Sequence, residues 1–257
     1  RNQLLLNIGV TGAFRTNLFQ NQSNGILTDG ANLTVVNTRF ENILKTNEYA
    51  APTGFGISCR AGNNRQLFQD GVLSNNTAGL PTFKNCTQAI LVQKMRTSVF
   101  NNVMEDVVNG IRVEGVSGQD IALELNDINC RETCIELIEN DAASRVWVSQ
   151  NTLEVGESVS SAVFGAGIFV SENGVAQTDA QILNNTINLH RVNVGISLVK
   201  TRDYEVEVNH VNLLSPSLSQ GGLNVNGGES NELSCNMVTG NGKGIGLSTW
   251  TEKNTTW

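Results

Sequence analysis

Long apolar runs are missing from this chain. No stretch approaches 18 consecutive apolar residues, so it holds no transmembrane helix and membrane insertion is not expected. Basic charge is scarce as well: 17 Lys and Arg stand against 24 Asp and Glu, a net charge of −7. Nucleic acid is therefore excluded as an expected partner, because binding it takes a basic stripe. Charged residues of both signs make up only 16% of the 257 residues, below the ~25% of an average globular protein. Proline falls to 3 and aromatics to 5%, whereas there are 34 Asn and 25 Gly. That balance favours turns and short strands and disfavours long surface helices. The chain starts at Arg1 without a Met or a signal pattern, so it is expected to be processed or cut from something longer.

Metal-binding residues are few. Cys130 and Cys134 have a C-x3-C spacing with no second ligand pair, and His190 and His210 lie 56 and 76 residues beyond Cys134. No metal and no cofactor are expected. Five cysteines cannot all pair with one another; Cys59 and Cys235 read as small apolar packing residues. A fully reduced core and a single bond remain equally compatible with the spacing, and Cys130–Cys134 is left open.

What is present is a repeat. Gly25-Ile26-Leu27-Thr28 returns as Gly56-Ile57-Ser58-Cys59, Ala89-Ile90-Leu91-Val92, Gly110-Ile111-Arg112-Val113 and Cys134-Ile135-Glu136-Leu137. It continues as Gly167-Ile168-Phe169-Val170, Gly195-Ile196-Ser197-Leu198, Gly222-Leu223-Asn224-Val225 and Gly244-Ile245-Gly246-Leu247. The steps run from 21 to 33 residues. Apolar residues at the second and fourth positions, with anything between them, describe a strand with one buried face. A second marker precedes each later copy: Asn37, Asp70, Asn101, Asn126, Asn151, Asn185, Asn209 and Asn236, usually with an apolar residue two places on. Asn tolerates a left-handed turn, and one Asn per coil can hydrogen-bond to its neighbours as a ladder when coils stack in register.

These "Asn-x-apolar … Gly-Ile-x-Val" units, spanning about 25–247, resemble the right-handed parallel β-helix repeat of the pectin-lyase-like superfamily. The resemblance implies an all-β fold: a right-handed single-stranded parallel β-helix of about nine to ten coils, uncapped at both ends. It implies no particular activity, since that superfamily includes polysaccharide lyases, hydrolases, epimerases, phage tail spikes and non-enzymatic surface proteins. Residues 1–257 are expected to form a single β-helix domain, a segment of a larger protein. Extra length concentrates at about 43–55, 73–88 and 154–166, as insertion loops leaving at one corner.

The outward columns of the Gly-Ile strands are where enzymes of that superfamily work. The columns put Arg112 beside Glu136 and Asp29 beside Arg60, one coil apart, as surface ion pairs. Glu114 and Glu136 lie on a diagonal of roughly 8 Å, within the carboxylate spacing of inverting glycosidases. Arg112 favours the charged form of Glu136, the opposite of what a general acid needs. The residues to test for polysaccharide cleavage are Glu114, Glu136, Arg112 and Arg60. Motifs resembling the polygalacturonase set (Asn-Thr-Asp, Asp-Asp, Gly-His-Gly, Arg-Ile-Lys), the epimerase Asp-Pro-His and the Gly-x-Ser-x-Gly elbow are all absent. His210 reads as a turn residue after Asn209, and His190 similarly. Outward aromatics that could stack on a sugar are Phe169 and Trp147, on different faces.

The sequence therefore weighs toward a non-enzymatic structural or adhesive segment of an extracellular or cell-surface assembly, of bacterial origin. Its expected partners are other copies of itself or flanking domains of the same polypeptide, with cell-surface glycans as further candidates. A polysaccharide-active enzyme or a glycan-binding module on the Gly-Ile face is the alternative.

Overall fold

The protein is described from a computed structural model. Its described residues are 5–8, 17–30, 32–36, 38–45, 53–61, 70–74, 82–140, 143, 145–157, 164–173, 176–177, 179–215, 220–248 and 255–256. Among them there is no helix, and every paired strand runs parallel to its neighbour across a coil. The chain is a parallel β-solenoid. Nine Gly-Ile strands stand side by side, from Asn24–Asp29 to Lys243–Ser248. A second column of ten strands runs from Leu5–Ile8 to Thr255–Thr256, and a third, the Asn column, from Asn17–Gln20 to Met237–Gly240. Two long strands, Val103–Glu114 and Asp127–Ile138, run through a corner and serve both the Asn and the Gly-Ile columns. About seven turns are complete, fewer than the nine to ten expected.

The Gly-Ile register is the one the repeat implies. Ile57, Ile90, Ile111, Ile135, Ile168 and Ile196 stack in one inward column, each nearly inaccessible to water. The neighbouring column through the Asn strands is as continuous. Phe19, Phe40 and Phe83 stack with ring centroids 5.2 and 4.9 Å apart, and Met104, Ile128, Leu153, Ile187 and Val211 continue the line.

These two columns explain the glycine. A Cβ on Gly195 would sit 2.5 Å from Val211 Cγ1 and 2.6 Å from the Gly222 carbonyl oxygen, so the strands close on each other only because that atom is absent. Across the fold the pairing is complementary. Gly25, Gly56, Gly110, Gly167, Gly195 and Gly222 face Phe40, Phe83, Ile128, Ile187, Val211 and Val238, all aromatic or β-branched. The two repeats without glycine carry Ala89 and Cys134 at that place, and by register these face Met104 and Leu153, which are unbranched at Cβ. Bulk close to the backbone on one strand is matched by its absence on the other.

The corners hold left-handed residues. Asn101, Leu125, Gln150, Asn184, Val208 and Cys235 all have φ between 54° and 61°. Each stands one place before the asparagine that turns inward, which is why Leu125 and Val208 are more than half exposed. Cys235 is exposed for the same reason, correcting its assignment as a packing residue, while Cys59 and Cys86 are buried. Cys130 and Cys134 form a disulfide across the bend of the Asp127–Ile138 strand, both fully buried. Of the expected loops, 46–52 and 158–163 fall outside the described residues, as do 75–81 of the 73–88 loop, into which the strands Asp70–Ser74 and Phe83–Lys84 reach.

Candidate functional site

The inward asparagines form a ladder along one corner. Asn102, Asn126, Asn151, Asn185, Asn209 and Asn236 follow one another coil by coil. Each backbone N–H and each side-chain Nδ2 donates to the Oδ1 of the next asparagine at 2.9–3.2 Å. The Nδ2 groups of Asn126, Asn151, Asn185, Asn209 and Asn236 also donate to a carbonyl on the preceding coil. All but the last are 1–2% exposed. Three markers shift. Asn101 is the left-handed corner residue, and Asn102 behind it joins the ladder. Asp70 begins a strand in the second column, in register with Arg96. Asn37 lies outside the described residues, but Thr38 beside it is buried and donates to the Val36 carbonyl, as Asn102 does to Phe100.

On the outward Gly-Ile face, Arg112 lies in register with Glu136, and Glu114 with Ile138, as the columns imply. The guanidinium of Arg112 donates to Glu114 through Nε and to Glu136 through Nη1, both at 2.9 Å. Burial opposes the charge of Arg112, but Glu136 and Glu114 together outweigh it and raise the guanidinium's pKa. Gln93 donates to Glu114 from the other side. The diagonal carboxylates are thus clamped on one cation rather than standing apart across an open gap. Arg60 is in register with Asp29, yet no ion pair joins these two exposed side chains, which correct the expected contact.

Phe169 sits in the same column between Glu136 and Ser197. Trp147 stands on the second column, with the Arg145 guanidinium 4.7 Å from its ring and its indole N–H donating to Ser149 Oγ at 2.6 Å. The two aromatics are on different faces, as expected, and share no site. No known protein family, curated protein or solved structure matches the chain.

A third outward group was not singled out by sequence. Glu154 on the Asn column accepts from Asn188, and its second oxygen meets His190 Nε2 at 2.9 Å. Asn212 donates on to Asn188, and Thr239 to Asn212, so three successive coils send a chain of hydrogen bonds toward one carboxylate. Nearby, burial, with Glu154 and Glu105 adding to it, raises the pKa of Asp127. His210 opens a strand rather than a turn, which corrects its reading. The signal for this group was the Asn-x-apolar-x marker itself, whose last position faces outward on every coil. Among the described residues no cluster of three or more His, Cys, Asp or Glu could hold a metal.

Proposed function

We propose that the chain is a non-enzymatic structural and adhesive segment of an extracellular or cell-surface assembly, a stiff spacer that docks against flanking domains or other copies of itself. The clamp of Arg112 on Glu114 and Glu136 carries this reading: the outward diagonal that could have served an inverting hydrolase is engaged in ion pairs with one guanidinium rather than open to a substrate. The continuous asparagine ladder and stacked apolar columns supply stiffness along the axis. A bacterial surface protein with the repeat of the pectin-lyase-like superfamily is the setting that fits this combination. Phe169 between polar neighbours makes cell-surface glycans a further partner.

The test is solution mass by light scattering, together with turnover assays on acidic polysaccharides. A defined oligomer or filament without turnover is expected. A stable monomer that cleaves an oligosaccharide, with cleavage lost in Glu114→Gln or Glu136→Gln, overturns the reading in favour of an enzyme.

A further inference from the structure

Asparagine is followed directly by glycine at Asn24, Asn109, Asn173, Asn226 and Asn241. Such a step carries its own reactant, because glycine has no Cβ to keep its nitrogen away from the side chain before it. Gly174 lies outside the described residues; the other four steps differ in what holds them. Asn24 and Asn109 sit in strands of the Gly-Ile column. The glycines after them are pressed against the next coil, where a Cβ on Gly25 or Gly110 would lie 2.4 or 2.3 Å from a carbonyl oxygen. The amide oxygens of Asn24 and Asn109 accept from the N–H groups of Phe55 at 3.2 Å and Thr133 at 3.3 Å. Asn226 ends the strand Gly221–Asn226, in register with Val199 and Ser248, and its carbonyl accepts from the Lys200 N–H at 2.9 Å.

Asn241 is placed otherwise. It lies in the bend between the strands Met237–Gly240 and Lys243–Ser248, and both it and Gly242 are exposed. Glycine flanks it on either side, Gly240 with a φ of 107°. Packing imposes the glycine at 242, since a Cβ there would stand 2.5 Å from Leu213 Cδ1 and 2.6 Å from the Gln220 carbonyl oxygen. The chain rejoins the sheet one residue later, where the Lys243 N–H donates to the Gln220 carbonyl at 2.8 Å. Among the described residues no hydrogen bond holds the Asn241 amide or the Gly242 N–H. The coil below thus demands a glycine at the one described Asn-Gly step whose asparagine lies in a bend outside the strands.

We propose that Asn241 is a site of spontaneous covalent modification, in which the Gly242 nitrogen attacks the Asn241 side-chain carbonyl carbon and closes a five-membered cyclic imide. The new C–N bond replaces the bond to the side-chain nitrogen. The Gly242 nitrogen gives up its proton to solvent, the leaving amide takes one, and ammonia departs. Water then opens the ring. Attack at the side-chain carbonyl leaves an aspartate in an unchanged main chain, whereas attack at the main-chain carbonyl routes the chain through the side chain as isoaspartate, one methylene longer. Either product places a new negative charge two residues from Lys243. The isoaspartate also lengthens the bend that seats the Lys243–Ser248 strand on its neighbour. At Asn24, Asn109 and Asn226 the same ring closure requires the sheet to open first.

The experiment incubates the full chain at pH 8, native and in urea, and follows each Asn-Gly step by peptide mass spectrometry, with fragmentation to place the gain of one mass unit. In the native chain Asn241 is expected to convert first, with Asn24, Asn109 and Asn226 at least about tenfold slower because they wait on local opening. In urea the four rates are expected to converge. Asn241→Gln, whose longer side chain would have to close a larger ring, is expected to abolish the early product while leaving the slower steps as they were. Conversion of native Asn241 no faster than that of Asn24 and Asn109 overturns the assignment, as does a native rate at Asn241 more than about tenfold below its own rate in urea, which would show the bend to be locked.

Discussion

Replacing Asn185 with alanine probes the interior more sharply than any change of an apolar residue. Its side chain accepts from the N–H and Nδ2 of Asn151 and donates to Asn209 Oδ1 and to the carbonyls of Val148 and Leu183. Asn151 Nδ2 keeps its bond to the Leu123 carbonyl, but the Asn151 N–H, held at 3.0 Å, loses its acceptor. The Val148 and Leu183 carbonyls and the Asn209 oxygen each lose a donor. Counting the N–H as one stranded group at about 1–3 kcal/mol, and the three acceptors as partly relieved, gives a loss of about 3–5 kcal/mol. Asn184→Ala, one place earlier at the exposed corner, is the control; it gives up only a left-handed conformation, about 1 kcal/mol. Urea unfolding followed by circular dichroism measures both. Native-state hydrogen exchange at the Asn151 amide reads the local effect even where coils unfold separately. A loss below about 1 kcal/mol for Asn185→Ala, or no difference from Asn184→Ala, would refute the view that the ladder holds this corner.

Three other outcomes follow from the geometry. Gly195→Ala is expected to destabilise by about 1–3 kcal/mol because its Cβ meets Val211 and the Gly222 carbonyl, whereas Gly244→Ala, with nothing within 4 Å, leaves the urea midpoint unchanged or raises it. In the native protein at pH 8, a thiol reagent is expected to modify Cys235 alone; burial pushes the thiols of Cys59 and Cys86 up to about 12 and about 11, so both stay protonated as well as shielded. Because folding raises the pKa of Asp127, the native state holds that proton more tightly, and ionisation of Asp127 weakens the fold as pH rises through the raised value. Asp127→Asn is therefore expected to stabilise the chain at pH 7, with the gain shrinking as pH falls below the usual aspartate range; an unchanged gain at pH 3 would disprove the assignment.

The Gly-Ile register could be read from the sequence because its constraint is local. A side chain cannot enter the space beside Val211 or Ile128, so glycine recurs wherever that space closes, and every outward residue two places on follows from it. The asparagine ladder was harder to place. Where two asparagines adjoin, as at Asn101-Asn102, both belong to the corner, one for its left-handed backbone and one for its buried amide, and composition does not separate those roles. Cys235 was misplaced for the same reason, since its backbone turns it outward before Asn236 turns in. The marker places Glu154 on the outside, but its meeting with Asn188 and His190 was not legible, because it depends on residues 24 to 36 positions apart, brought near by coils of unequal length.

The backbone hydrogen bonds between coils point along the axis of the solenoid rather than across it. A tension applied at the two ends therefore loads the outermost rung first, and the bonds of that rung part before those of the next are felt. The fold yields by peeling, not by shearing many bonds together. A coil of about 27 residues freed in this way adds roughly 90 Å of extended chain in place of the ~4.8 Å it occupied when stacked. Under an axial pull, length would thus be released one coil at a time.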